Sequence, residues 1–334
     1  MPNLLLKQML KLQFKSSLLL LLLMAAVTSS GCMQTNNAPK GVLLEDPLLP
    51  EPQAIPMRSE IAISRMTEML DGAKLTKEQK AKLFYERGVM YDSVGLSVLA
   101  RVDFIRALRL QPNMADAYNF LGIQHTVNGE YDSAFESFDS ALELDPNYQY
   151  AYLNRGIALQ YDGKLDLAIA DFITFQQIQP NDPYRALWRF WAEVEKDPKL
   201  ALLNLEQASQ TLDPQVWATQ VIAFYLGQMS EAELKAVATD ANDPKQLAEQ
   251  LCELYFYLGK WQALQNNPTA AAQSFKLVLA TNVYEFVEYR HARIALTKLR
   301  FSVLQQAEEA TEETVGESIP THDKAQEPVS TSDE

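Results

Sequence analysis

The sequence predicts an all-α protein, a solenoid of helix-turn-helix repeats, and three observations predict it. Four residue types recur at a fixed period of 34 residues through three successive units. The same spacing returns in part near residue 259. A helix-capping signal precedes the first unit, and a proline closes each of the three units.

Each recurring column has a physical role. The columns are Gly88, Gly122 and Gly156; Ala100, Ala134 and Ala168; Phe104, Phe138 and Phe172; and Pro112, Pro146 and Pro180. Glycine permits helix A to approach helix B closely, with the alanine facing it, and the phenylalanine one turn further along helix B fills the space between repeats. Proline ends helix B because it lacks the N–H that a helix interior needs. This register is typical of tetratricopeptide repeats.

The first residues have the pattern of an exported lipoprotein. Residues 1–31 carry three lysines, no acid and an apolar run that is too short to span a bilayer, which predicts a signal peptide. Cys32 follows Gly31 as in the lipobox of bacterial lipoproteins, although Ser29 stands where that motif usually has leucine. We expect cleavage before Cys32 and acylation of the chain there, palmitate included, with an ordinary cleaved secretory signal as the alternative. The residue after the cysteine is Met33, whereas lipoproteins retained in the inner membrane typically have aspartate there. The resemblance to lipoproteins therefore implies that this chain is located in the outer membrane.

Two elements precede the repeats. Residues 32–56 contain five prolines and predict an extended tether. Residues 57–76 predict a helix that is either a lid on the first repeat or an arm of a dimer. Its apolar stripe consists of Ala62, Ile63, Met66, Met69 and Leu70. Thr76 and Gln79 have the spacing of a capping box, which starts the first repeat helix.

The regular repeats span residues 81–182, and less regular segments follow. Residues 183–250 predict helices without the repeat register, whose aromatic side chains we interpret as core rather than a ligand pocket. Within residues 252–300 we expect a degenerate fourth repeat and a C-terminal helix. Gly259, Ala271 and Phe275 keep the repeat spacing there, while Val283 replaces the proline. Residues 301–334 hold nine acids and one lysine and predict a disordered acidic tail.

Composition argues against several classes of function. The formal net charge of −14 disfavours binding to nucleic acid or to anionic headgroups. With Cys32 acylated, Cys252 is the one remaining thiol, and its apolar neighbours predict a buried small side chain. The three histidines form no zinc-binding helix motif, and the sequence contains neither a nucleophile elbow nor a phosphate loop. We therefore expect no enzyme activity, no metal and no cofactor.

Segments outside the repeat columns carry a more specific resemblance. They are residues 83–89, 91–96, 151–159, 224–227, 256–260, 282–283 and 286–290. In these segments the chain resembles the NlpI family of outer-membrane lipoproteins. The resemblance implies a homodimeric, lipid-anchored adaptor at the outer membrane, facing the periplasm. Such an adaptor binds murein hydrolases, endopeptidases among them, and a tail-specific protease, and so regulates peptidoglycan growth and cell division. The alternative is a pilotin-like or barrel-assembly lipoprotein of the outer membrane.

In tetratricopeptide solenoids the A helices line a concave groove, which predicts where a partner binds. By repeat position the groove residues are Tyr85, Asp92, Asn119, Ile123, Tyr150, Leu153, Ile157 and Tyr161. The set is aromatic and aliphatic with few charges, and it lacks the lysine and asparagine combination that clamps a terminal carboxylate. An apolar or helical segment, or a folded partner anchored by aromatic contacts, fits better. Packing within the solenoid is the alternative role for each residue.

Overall fold

The computed structural model describes residues 48–316, with side chains described through Phe301. Within that range the chain is all-α and forms 14 helices, with no strand. They are α1 (Met57–Gly72), α2 (Lys77–Ser93), α3 (Ser97–Leu110), α4 (Ala115–Val127), α5 (Tyr131–Leu144), α6 (Gln149–Tyr161), α7 (Leu165–Ile178), α8 (Pro183–Lys196), α9 (Pro198–Ser209), α10 (Trp217–Tyr225), α11 (Glu231–Thr239), α12 (Pro244–Leu264), α13 (Pro268–Ala280) and α14 (Val287–Gly316). The predicted signal peptide, Cys32 and the first part of the tether lie outside the described residues.

The three predicted repeats are the helix pairs α2/α3, α4/α5 and α6/α7, which confirms a tetratricopeptide solenoid. Each B helix ends two residues before its proline. Each turn between helices A and B contains a glycine with positive φ, a conformation that costs other residues energy. These glycines are Gly95 (φ 80°), Gly129 (φ 76°) and Gly163 (φ 81°).

The column glycines allow a close approach, but the residue that approaches them differs from the prediction. A methyl group built on Gly122 would lie 2.5 Å from Cε1 of Phe138, and one on Gly156 would lie 2.9 Å from Cε1 of Phe172. The phenylalanine of the same repeat, rather than the alanine, therefore covers the glycine. Both residues lie on one face of helix B, and the longer side chain reaches across to helix A.

Helix α1 covers one side of the first repeat. It packs against α2, and Arg87 of α2 donates a hydrogen bond from Nη1 to Thr67 Oγ1 at 2.9 Å. The helix ends at Gly72, earlier than the predicted boundary at 76, because Thr76 forms the predicted capping box with Gln79 and starts α2. In this chain α1 is thus a lid on repeat one; a role in a dimer stays a prediction.

The last part of the predicted tether is docked onto the body. The Gln53 N–H donates to the Thr281 carbonyl at 2.8 Å, and the Tyr255 hydroxyl donates to the Leu48 carbonyl at 2.6 Å. Pro50 is buried. These contacts contradict a free tether through residue 56. Main-chain hydrogen bonds and an apolar contact hold residues 48–56 against the far end of the solenoid.

The helices after the third repeat form the largest apolar core. Helices α8 and α9 make a hairpin, and α12 and α13 form the degenerate repeat, in which Gly259 again faces Phe275. The predicted boundary near residue 250 is wrong because α12 runs unbroken from Pro244, which Asp243 caps. Cys252 is fully buried in this core, as predicted, and burial raises the pKa of its thiol.

The predicted disordered tail does not begin at residue 301. Helix α14 continues through residues 301–316 to Gly316. This stretch is rich in alanine, glutamate and glutamine, which favour helix, and it extends a helix whose nucleation is already complete. The remainder of the predicted tail, residues 317–334, lies outside the described residues.

Candidate partner-binding groove

A concave groove with a volume of about 680 Å³ runs along the A helices of the repeats. Residues of α2, α4 and α6 form one wall, and residues of α8, α12 and the start of α14 form the other. The repeat wall is largely apolar and aromatic, whereas the opposite wall carries several carboxylates. The groove is therefore a surface with two chemically different sides.

Five of the eight predicted groove residues line this cavity, namely Asp92, Asn119, Ile123, Tyr150 and Leu153. Tyr150 is the most accessible of them, with 51% of its surface exposed. Its ring centroid lies 6.4 Å from that of Phe175 in α7. The other four are buried, so they shape the wall while Tyr150 projects from it.

The other three predicted residues do not line the groove. Ile157 is only 1% exposed and belongs to the main apolar core. Tyr85 packs against the rings of Phe104 and Phe120 at centroid distances of 6.1 and 6.2 Å. Burial raises the pKa of Tyr85 to about 12. Tyr161 is covered by α14. Repeat position alone does not show which residues a neighbouring helix covers.

Two asparagines connect adjacent A helices within the repeat wall. Asn154 Nδ2 donates to Asn119 Oδ1 at 3.0 Å, and Asn119 Nδ2 donates to the Tyr148 hydroxyl at 3.3 Å. Asn119 is buried, and the oxygen and the nitrogen of its amide each have a protein partner. This chain of hydrogen bonds therefore sets the spacing of α4 and α6 instead of offering free donors to a ligand.

Asp92 joins the first repeat to the C-terminal helix. Its Oδ2 accepts a hydrogen bond from Arg290 Nη2 at 2.6 Å, and its Oδ1 accepts one from Gln124 Nε2 at 2.7 Å. Burial raises the pKa of Asp92, and Arg290 and Gln124 oppose that shift. The carboxylate predicted to meet a partner is thus already occupied by residues of its own chain.

Helix α14 makes a second contact at the third repeat. The ring of Tyr161 stacks on that of His291 with centroids 5.6 Å apart, and Lys298 Nζ lies 4.9 Å from the Tyr161 ring centroid. Burial lowers the pKa of His291 to about 3, so the imidazole is neutral at physiological pH. The start of α14 therefore crosses the concave face from repeat one to repeat three and forms one edge of the groove.

The wall opposite the repeats contains two buried glutamates. Glu253 Oε2 accepts a hydrogen bond from the Tyr184 hydroxyl at 2.8 Å, and Glu288 Oε1 accepts one from the Tyr257 hydroxyl at 2.9 Å. Burial, together with the Glu288 carboxylate, raises the pKa of Glu253 to about 8. Burial also raises the pKa of Glu288. Two such groups side by side disfavour each other's ionisation, so Glu253 stays largely protonated at neutral pH.

The basic side chains of the groove are already paired. Arg185 is buried and donates to the Phe175 carbonyl at 2.6 Å and to the side-chain oxygens of Gln149 and Gln179, each at 2.7 Å. Arg290 is bound by Asp92. Five carboxylates line the groove against these two arginines. Glu253 is largely protonated at pH 7, and Asp92 and Asp182 pair with Arg290 and Arg185, so the groove has many carboxyl groups but little net charge beside its apolar wall.

The repeat register does not predict the second wall of the groove. Tyr184, Trp188, Glu253 and Glu288 all line the groove but lie outside the regular repeats. Trp188 is core, as expected for the aromatic non-repeat stretch, and it also faces the cavity. A glutamate surrounded by apolar residues, as Glu253 is in α12, was the one available signal. Its position opposite α4 and α6 depends on the tertiary fold.

The described part of the chain contains no cluster of three or more side chains able to hold a metal ion. No helix among the described residues combines the length and the apolar character needed to cross a membrane.

No protein-family model matches the chain. Solved structures similar to it include YrrB, a tetratricopeptide-repeat protein with an unusual peptide-binding site (16% identity, 69% of this chain, 98% of that chain, TM-score 0.38). Another is PilF of Pseudomonas aeruginosa (15% identity, 64% of this chain, 97% of that chain, TM-score 0.40). A third is a tetratricopeptide-repeat protein of Parabacteroides merdae (16% identity, 72% of this chain, 98% of that chain, TM-score 0.43). The similarity concerns the fold alone.

Proposed function

We propose that this chain is an adaptor that holds a segment of a partner protein in the concave groove. The observation that carries the proposal is the groove itself, with Tyr150 projecting from an apolar wall and several carboxyl groups opposite. Exposed aromatic side chains beside a desolvated wall are typical anchors of protein interfaces. The apolar wall favours a partner segment with apolar or aromatic residues, and the carboxyl groups opposite favour hydrogen-bonding groups on that segment.

The finer proposal follows from the resemblance to the NlpI family. The mature chain would be anchored by a lipid at Cys32 in the outer membrane and face the periplasm as a homodimer. Its partners would be murein hydrolases and a tail-specific protease, which the adaptor brings together to control hydrolase turnover. The repeat scaffold and its groove support binding of a partner, and the sequence segments support the identity of that partner.

Capture from detergent-solubilised envelopes tests both levels of the proposal. The full-length tagged chain should recover murein hydrolases and a tail-specific protease, identified by mass spectrometry. Tyr150→Ala should reduce recovery of at least one class about tenfold, which corresponds to about 1.4 kcal/mol. The fold should be unchanged because Tyr150 is half exposed.

Leu167→Ala is the matched control. Leu167 of α7 is 58% exposed and does not line the groove, so its truncation should leave recovery unchanged. Equal recovery with Tyr150→Ala and wild type would remove the groove from the proposal. Recovery of pilus or barrel-assembly proteins in place of both predicted classes would favour the alternative lipoprotein function.

A further inference from the structure

A second apolar surface lies at the start of α3 in the first repeat, and none of its residues lines the groove. It consists of four aliphatic residues at the start of α3, which we call the α3 patch. They are Leu96 (45% exposed), Val98 (75%), Leu99 (46%) and Val102 (40%). The opposite face of α3 packs on α2 through Ala100, Phe104 and Ala107, which are fully buried. The patch is therefore not used to build the repeat.

The other repeats show that the fold does not require this patch. The positions of Val98 and Val102 are occupied by Asp132 and Glu136 in repeat two. Each of the four patch residues has a counterpart in each of the other three repeats. Of these twelve positions, only that of Leu167 holds a large aliphatic residue. Four exposed aliphatic side chains in one place carry a cost in solubility that a contact surface would explain.

The charge of the first repeat, which carries the α3 patch, also differs from that of the second repeat. Repeat one, residues 81–114, carries five basic and three acidic side chains, whereas repeat two, residues 115–148, carries seven acidic and no Lys or Arg. On α3, the buried Asp103 binds both Arg87 and Arg106, so the half-exposed Arg106 and the exposed Arg109 form a basic rim beside the patch in which one charge is already paired. An occupant that matches this surface has an aliphatic side and carboxylates next to it.

The chain itself contains a segment with that chemistry. In sequence, Val303, Leu304, Ala307 and Ala310 recur at helical spacing, and Glu308, Glu309, Glu312 and Glu313 fall between and after them. The backbone is helical there as the end of α14. Neither lysine nor arginine occurs between residues 301 and 323.

The geometry of α14 rules out docking within one chain. Arg290 contacts α2 in repeat one, and Lys298, two turns later, contacts Tyr161 at the end of α6 in repeat three. The helix therefore runs away from repeat one, and its C-terminal end lies further still from the α3 patch. A second copy of the chain must supply the segment.

We propose that the α3 patch binds the acidic C-terminal segment, beginning near Val303, of a second copy of this chain. The aliphatic residues of the segment cover the patch, and its glutamates lie beside Arg106 and Arg109. The proposal is independent of the groove and of the partner proposed for it.

The test uses the full chain and a fluorescent peptide of residues 302–334 in 50 mM NaCl, with binding followed by anisotropy. Wild type should bind the peptide saturably, and 500 mM NaCl should weaken the affinity at least fivefold. Val98→Asp combined with Val102→Glu, which installs the residues of repeat two, should weaken it at least tenfold. Leu167→Asp is the control and should bind as wild type does.

Two further measurements complete the test. A peptide with Glu308, Glu309, Glu312 and Glu313 changed to Gln should lose at least fivefold in affinity. Thermal melting should show that the double variant folds. Equal binding by wild type and the double variant, or no saturable binding, would overturn the proposal. So would patch-dependent binding of phosphatidylethanolamine–phosphatidylglycerol vesicles without peptide binding, since the surface would then contact lipid.

Discussion

The absence of one methyl group sets the distance between the two helices of each repeat. At Gly88, Gly122, Gly156 and Gly259, the ring of the phenylalanine 16 residues later occupies the space where a Cβ would be. The ring is fully buried in the three regular repeats. In the first repeat Phe104 also stacks on Phe120 of the next unit, with centroids 4.9 Å apart. One side chain thus joins the helices within a repeat and the repeats to each other.

Gly122→Ala should therefore destabilise the protein. The added methyl would lie 2.5 Å from the Phe138 ring, inside van der Waals contact, and both flanking helices would have to move. Overpacking of this kind costs about 1–3 kcal/mol. Chemical denaturation followed by circular dichroism would measure it.

Gly72→Ala provides the control for that experiment. Nothing lies within 4 Å of the position where its Cβ would be, and its φ is not positive. The substitution should be neutral or slightly stabilising, because alanine favours helix over glycine. If Gly72→Ala lowered the free energy of unfolding as much as Gly122→Ala does, contact with the Phe138 ring would not be the cause of the destabilisation.

At the scale of single elements, α14 is the helix that limits the space in the concave groove of the solenoid. Arg290 binds Asp92 of α2, and the Tyr161 ring stacks on His291. Helix α14 therefore spans the open side of the curve and limits the groove to the space that remains. A partner in the groove contacts α14 as well as the repeats.

Arg290→Ala should weaken the attachment of α14 to α2. Asp92 would keep its bond from Gln124 but lose its charged partner while still buried, which costs about 2–3 kcal/mol. Hydrogen exchange should become faster in α14 and at the end of α2, with little change in α5. Arg300→Ala is the control because Arg300 is exposed and has no partner among the described residues. Unchanged exchange in α14 would show that Arg290 does not hold the helix.

At the scale of the whole molecule, described segments that are far apart in sequence meet in the C-terminal half. The segment of residues 48–56 docks near Thr281, and α8, α12 and α14 bring Tyr184, Glu253 and Glu288 together. The buried carboxylates make the stability of this half depend on pH. The acidic balance of the sequence says nothing about that dependence, because composition does not show which carboxyl groups become buried.

Stability should fall as pH rises from about 6.5 to 8. The folded-state pKa of Glu253, about 8, lies above its ordinary value of 4.5, so the native state holds the proton more tightly than the unfolded state. Over this window the loss should be about 1–2 kcal/mol. His291 acts in the opposite direction only below its ordinary pKa of 6.5, so it does not contribute here.

Glu253→Gln isolates this effect. The variant keeps an acceptor for the Tyr184 hydroxyl and cannot ionise, so it should be more stable than wild type at pH 8. Its stability should depend less on pH, with the remaining slope due to Glu288. Calorimetric unfolding at pH 6.5, 7.2 and 8.0 measures this. Parallel curves for wild type and variant would contradict a raised pKa at Glu253.

The sequence by itself determined the repeats, since each column residue acts over short range. Gly–Phe spacing, turn glycines and helix-ending prolines depend on contacts within one helix pair, and the structure confirms the three pairs they predict. Asp92, Asn119, Ile123, Tyr150 and Leu153 followed from the same register. The capping box predicted at Thr76 is also local, and it forms.

Only the tertiary structure decided what surrounds the groove. The partners Asp92 and Arg290 are 198 residues apart, and no local pattern links them. The same holds for Tyr161 and the helix that covers it, for Tyr184 and Glu253, and for the docking of residues 48–56 near Thr281. Contacts between distant segments depend on how all the intervening helices stack. A local register therefore defines the repeats, while the curvature and closure of the solenoid define the site.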